Sequence, residues 1–102
     1  MTLTNEQKES FKSIIIDSLK NFKEINKIIL FGSFVNSTNL NDIDIAVIQN
    51  SEKENYLSLS LKYRKSLKEL AKKISIDILP IKIDSHGQFM NEINQGEIIY
   101  EK

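Results

Sequence analysis

Apolar residues recur along this chain with two different periods, and the periods predict its elements. Phe11, Ile15, Leu19 and Phe22 are spaced four, four and three apart, which is one face of a helix. Thr4 and Gln7 ahead of them fit a capping box and predict where that helix opens. Lys27 to Phe31 is apolar after its first residue and predicts a short strand. Ser33 to Asn41 reads as a loop, with one helical turn after Gly32. Ile43 to Ile48 predicts a second strand. Ser51-x-x-Glu54 reads as another capping box. The helix it would open carries Tyr56, Leu59, Tyr63, Leu67, Leu70 and Ile74 on one stripe. A third strand is expected from Ser75 to Leu79, closed by Pro80. Ser85-x-x-Gln88 is expected to open a last short helix with Phe89, Met90 and Ile93, capped at its end by Gly96. Ile98, Ile99 and Tyr100 form a final extended piece.

The first two strands are separated only by a short loop, so they are not joined by a parallel crossover. The long helix between strands two and three is sufficient for one. The expected fold is α/β (α+β): a small mixed β-sheet with helices packed on it. Its 102 residues predict one domain, 1–102. Acidic and basic residues balance at 14 each, which argues against a basic nucleic-acid-gripping surface. The absence of cysteine removes disulfides, thiolate chemistry and cysteine zinc sites and is consistent with a reducing cytoplasm. The polar N-terminus does not read as a signal peptide, and no apolar run approaches membrane-spanning length.

The chemistry concentrates in Asn41-Asp42-Ile43-Asp44-Ile45-Ala46-Val47-Ile48. Side chains at i and i+2 of a strand share a face, about 7 Å apart along the chain. Asp42 and Asp44 therefore point together, opposite Ile43, Ile45 and Val47. Carboxylates side by side repel, and the pair makes sense with a divalent cation between them. Asp77 alternates with Ile76 and Ile78 in the third strand. If strands two and three are neighbours, three carboxylates converge. The plain alternative for Asp77 is a salt bridge to a helix lysine. Gly32-Ser33 reads either as a turn with a Ser cap or as a close-approach phosphate site. The carboxylates just downstream favour the phosphate. His86, the only histidine, reads as a polar residue in the first turn of the last helix. Lys62, Arg64, Lys65, Lys68, Lys72 and Lys73 read as a solvated helix face, and the Tyr56/Tyr63 stripe as core.

This order of motifs resembles the nucleotidyltransferase superfamily, in its minimal single-domain branch with a polymerase-beta-like fold. The residues that carry the resemblance are Gly32-Ser33, Asp42-Ile-Asp44-Ile-Ala-Val, Asp77 and the ending Ile93-Asn-Gln-Gly96-Glu-Ile-Ile-Tyr100-Glu. It spans roughly residues 27 to 101. It implies a nucleoside triphosphate held by two Mg²⁺ ions, with Asp42, Asp44 and Asp77 as metal ligands and catalytic residues. Gly32 and Ser33 would anchor the phosphates. The expected reaction moves a nucleoside monophosphate, AMP from ATP, to a hydroxyl. Minimal members resemble antitoxins paired with a small helical HEPN-type toxin, some of them transferring AMP to its tyrosine. This chain lacks the toxin's Arg-to-His signature, since its one arginine, Arg64, has no histidine following closely. Two alternatives stay open: a small-molecule, antibiotic-type nucleotidyltransferase completed by dimerisation, and a silent antitoxin that acts by binding alone. Where many members carry a basic residue and then Gly after the Gly-Ser turn, this chain has Asn36 and Ser37, and its loop is slightly shorter.

Overall fold

The computed structural model describes residues 3–32, 42–85 and 87–102. Helix α1 (Asn5–Leu19) opens with the expected capping box: Gln7 N–H donates to Thr4 Oγ1, and Thr4 N–H to Gln7 Oε1. Strand β1 (Ile25–Phe31) runs antiparallel to β2 (Asp42–Gln49). Helix α2 (Tyr56–Ser66) breaks at Leu67 into a short α3 (Lys68–Ala71). Strand β3 (Ser75–Lys82) then pairs parallel with β2, as a right-length helical crossover allows. Helix α4 (Gln88–Asn94) leads to β4 (Glu97–Glu101), which pairs antiparallel with the other side of β1. The sheet order is β3-β2-β1-β4, mixed as expected.

Alternation sorts the sheet into two faces. Ile28, Leu30, Ile43, Ile45, Val47, Ile76 and Ile78 pack under α1 and the α2–α3 pair with Phe11, Ile15, Leu19, Leu59, Tyr63 and Leu67. The other face buries Ile29, Ala46 and Ile48 against Ile93 of α4, with Phe31, Ile81 and Met90 partly buried around them. Burying a side chain of this size stabilises by roughly 1.5–3 kcal/mol, so the two clusters fix the strand register. Among the described residues, no helix is long and apolar enough to cross a membrane.

Several boundaries differ from the sequence reading. Ser51 Oγ does accept from Glu54 N–H, but no helix follows; Asn55 caps α2 by accepting from Ser58 N–H. Tyr56 is 55% exposed, so only Tyr63 of that pair is core. Phe22 lies beyond the end of α1 and packs against the core from there. Pro80 sits inside β3 rather than closing it. Because β3 is the outermost strand, the missing N–H is tolerated. Gly87, not Ser85, stands at the start of α4; Gln95 is its C-cap, and Gly96 next to it closes the helix end by donating its N–H to the Ile93 carbonyl. Ser33 to Asn41 and His86 lie outside the described residues.

Lys62 is also no solvated lysine. It pairs with Glu24 at 2.9 Å and Glu54 at 2.7 Å, and it lies over the rings of Phe22 and Tyr63. Tyr63 Oη donates to Glu24 Oε2 at 2.8 Å. Burial would raise the Glu24 carboxyl, but the hydrogen bonds from Lys62 and Tyr63 outweigh it and hold the group below its ordinary value. This network ties α2 to the chain entering β1. Tyr63→Phe should lower stability by about 1 kcal/mol in a urea melt, the usual worth of one hydrogen bond. An unchanged midpoint would show that Lys62 alone satisfies Glu24.

Candidate metal and nucleotide site

The parallel register places Asp44 directly opposite Asp77, and Asp42 opposite Ser75. One carboxylate oxygen from each of Asp42, Asp44 and Asp77 lies within 4.8 Å of the other two. Three oxygen donors at that spacing suit a hard divalent cation. Asp42 and Asp44 are half-buried and Asp77 is exposed. Exposure relieves Asp77 of a burial penalty, and the convergence of the three acids is what marks the site. None of the ion pairs among the described residues includes any of them, so the lysine partner considered for Asp77 does not appear.

The acids act on one another. Asp44 is raised above its ordinary value, first by burial and then by the charges of Asp77 and Asp42. A bound cation would reverse this balance, because it favours the charged form of every carboxylate around it.

Gly32 completes the arrangement from β1. Its φ is +73°, a left-handed conformation that side chains rarely adopt. A Cβ on Gly32 would also collide with Asp44 Oδ2. The turn therefore demands glycine twice, for conformation and for the approach of backbone to carboxylate. Ser33, the second expected phosphate contact, lies outside the described residues, as do Asn36 and Ser37.

Two features escaped the sequence reading. Phe31 pairs with Asp44 across the β1–β2 ladder, so the aromatic residue flanks the acids on the side opposite Asp77. That register depends on the loop joining the strands, which no local pattern specifies. Arg64, read as solvated, donates to the carbonyl of Ile76 at 3.3 Å and so covers part of the free edge of β3 beside Asp77. A groove of about 360 Å³ lies elsewhere, at the far ends of β2 and β3, between Gln49, Tyr56, Leu59, Ile81, Lys82 and Met90. From Asp44 to Gln49 is five residues of strand, about 17 Å, so this groove is separate from the acids.

A family model described as "Polymerase beta, Nucleotidyltransferase" matches residues 13–102. No curated protein matches the chain. Among solved structures, a toxin–antitoxin with AMP-PNP is similar at 24% identity, with a TM-score of 0.59, over 89% of this chain and 73% of that one. A mutant of the toxin–antitoxin MntA-HpeT is similar at 23% identity, with a TM-score of 0.60, over 89% and 73%. A protein from Shewanella oneidensis is similar at 15% identity, with a TM-score of 0.54, over 97% and 74%. At these identities the likeness is one of fold.

Proposed function

Since the chain belongs to the Polymerase beta nucleotidyltransferase family, we propose that it transfers AMP from ATP to a protein hydroxyl, the tyrosine of a small helical HEPN-type toxin, and so serves as an antitoxin. The observation that carries this reading is the meeting of Asp42, Asp44 and Asp77 within 4.8 Å. Two of the similar solved structures are themselves toxin–antitoxins, one of them with AMP-PNP. With ATP as the substrate, the activity would be cytoplasmic.

Asp42 and Asp44 would hold both Mg²⁺ ions, with Asp77 on the ion nearer the acceptor. When bound, the ions neutralise phosphate charge and stabilise the entering and leaving oxygens. Gly32 lets the backbone come close enough for a phosphate to sit beside Asp44, and Ser33 would donate to it. The acceptor hydroxyl loses its proton to water and forms a bond to the α-phosphorus, the bond to the bridging oxygen breaks, and pyrophosphate leaves with that electron pair. Among the described residues, Asp77 is exposed and Asp42 and Asp44 are half-buried. A protein acceptor brings its own surface to such a site, whereas a small acceptor needs walls.

The test is co-expression with a HEPN-type protein encoded beside this chain, followed by intact mass measurement of that partner. The expected result is an added AMP mass that disappears with Asp42→Ala. A tight complex with no added mass, formed equally by Asp42→Ala, would establish the silent antitoxin instead. Turnover of a small hydroxylated acceptor, with no complex, would establish the antibiotic-type enzyme.

A further inference from the structure

The proposed chemistry uses no residue of the C-terminal motif, Gly96 included. Gly96 follows the C-cap Gln95 and its N–H donates to the Ile93 carbonyl at 2.9 Å, as a capping residue does, but it does not have a positive φ. Backbone freedom therefore does not explain it; space does. A Cβ on Gly96 would run into the carbonyl oxygen of Leu30 and come within 3.0 Å of both Ile29 Cγ2 and Phe31 Cβ. All three neighbours are the last residues of β1, and the next residue is Gly32. The α4–β4 junction thus rests on β1 with no side chain between, at the point where β1 enters the turn against Asp44.

We propose that Gly96 is a positioning residue for the metal site. Its missing side chain sets how deeply the end of β1 sits, and through Phe31 and Gly32 it sets where the Asp44 carboxylate stands relative to Asp42 and Asp77. Phe31 links the two ends of this relay: its Cβ faces Gly96, and its strand partner is Asp44. Two of the three contacts are to backbone or Cβ atoms, which cannot swing aside as a side-chain tip can. A methyl at position 96 must therefore move strand β1 itself, or lift α4 and β4 away from it. The inference rests on the metal-site reading of the three acids.

The experiment measures Mn²⁺ affinity, by electron paramagnetic resonance of free Mn²⁺, for wild type, Gly96→Ala and a control, Ile99→Ala. Ile99 is a partly buried β4 residue packed against the opposite core, so its truncation lowers stability without adding an atom at the α4–β4 junction. All three are compared at a temperature where each is folded by circular dichroism. Gly96→Ala should weaken Mn²⁺ binding about tenfold, the usual cost of disturbing what orients a metal ligand, while Ile99→Ala stays within about twofold. Equal affinity in wild type and Gly96→Ala would overturn the proposal. So would equal weakening in Gly96→Ala and Ile99→Ala, which would reduce Gly96 to general packing. If Gly96→Ala does not fold, Phe31→Gly decides, because it removes the Cβ that faces Gly96 without adding an atom: weakened Mn²⁺ binding supports the relay, and unchanged binding ends it. Wild type failing to bind Mn²⁺ would instead defeat the metal-site reading, and the relay with it.

Discussion

Asp44→Asn should lower the proposed AMP transfer by about a thousandfold, the scale of losing one group that stabilises developing charge, while leaving a fold at least as stable as wild type in the absence of metal. The second half of this expectation follows from proton linkage. Asp44 is raised in the folded state, by burial and then by Asp77 and Asp42. Between its ordinary value and its raised one, the folded chain binds more protons than the unfolded chain. Stability from this group therefore falls as pH rises through that window. Asparagine does not titrate, so the variant lacks this slope and is the more stable of the two at neutral pH. Glu24 has the opposite sign: it is held low by Lys62 and Tyr63, so its contribution is full at neutral pH and fades as pH falls through its folded-state value. Both groups shape the acid melt of the wild type, but Glu24 is common to both proteins. The difference between wild-type and Asp44→Asn melts across pH thus isolates Asp44. Saturating Mg²⁺ and triphosphate should invert the order, since ligand at a hundredfold over its dissociation constant adds about 2.7 kcal/mol to the protein that binds it. A metal-free Asp44→Asn that unfolds, or melts well below wild type, would make Asp44 a structural residue.

The face carrying these acids was legible because a strand has only two sides. Asp42 and Asp44 at i and i+2, opposite Ile43, Ile45 and Val47, could point only together once the isoleucines were buried. Asp77 followed from the same alternation, given that the helix after β2 was long enough to return the chain in parallel. Element ends were harder, because several residues are chemically able to cap. Ser51 and Asn55 each accept a hydrogen bond from the backbone N–H three residues on. Only Asn55 starts a helix that carries Leu59, Tyr63 and Leu67 to the core, and that is a tertiary decision. Lys62 looked solvated because its partner Glu24 is far away in sequence and is brought in by the fold. Gly96 was legible as the residue that closes the last helix, but its lack of room for a Cβ comes from β1, which no local pattern contains.

Gly32→Ala should damage transfer far more than it damages the fold. Stability should fall by roughly 1–2 kcal/mol, the cost of holding an L-residue in left-handed backbone. Transfer should fall by about a hundredfold, because the added Cβ occupies space now taken by Asp44 Oδ2, and misplacing a reacting group by about 1 Å carries a penalty of that size. The carboxylate must rotate or the turn must retreat, and either movement spoils the convergence with Asp42 and Asp77. The two effects separate in a double-mutant cycle with Asp44→Asn, scored by Mn²⁺ affinity and by transfer in parallel. If Gly32 acts through Asp44, the alanine should cost little more transfer once Asp44 has been disabled, while its cost in stability remains. Fully additive losses of transfer would instead mean that Gly32 contributes on its own, by letting the backbone approach the phosphates. Gly32→Ala with transfer within a few-fold of wild type would show that the turn and the carboxylate move past one another, and the close approach of β1 to Asp44 would then carry no catalytic meaning.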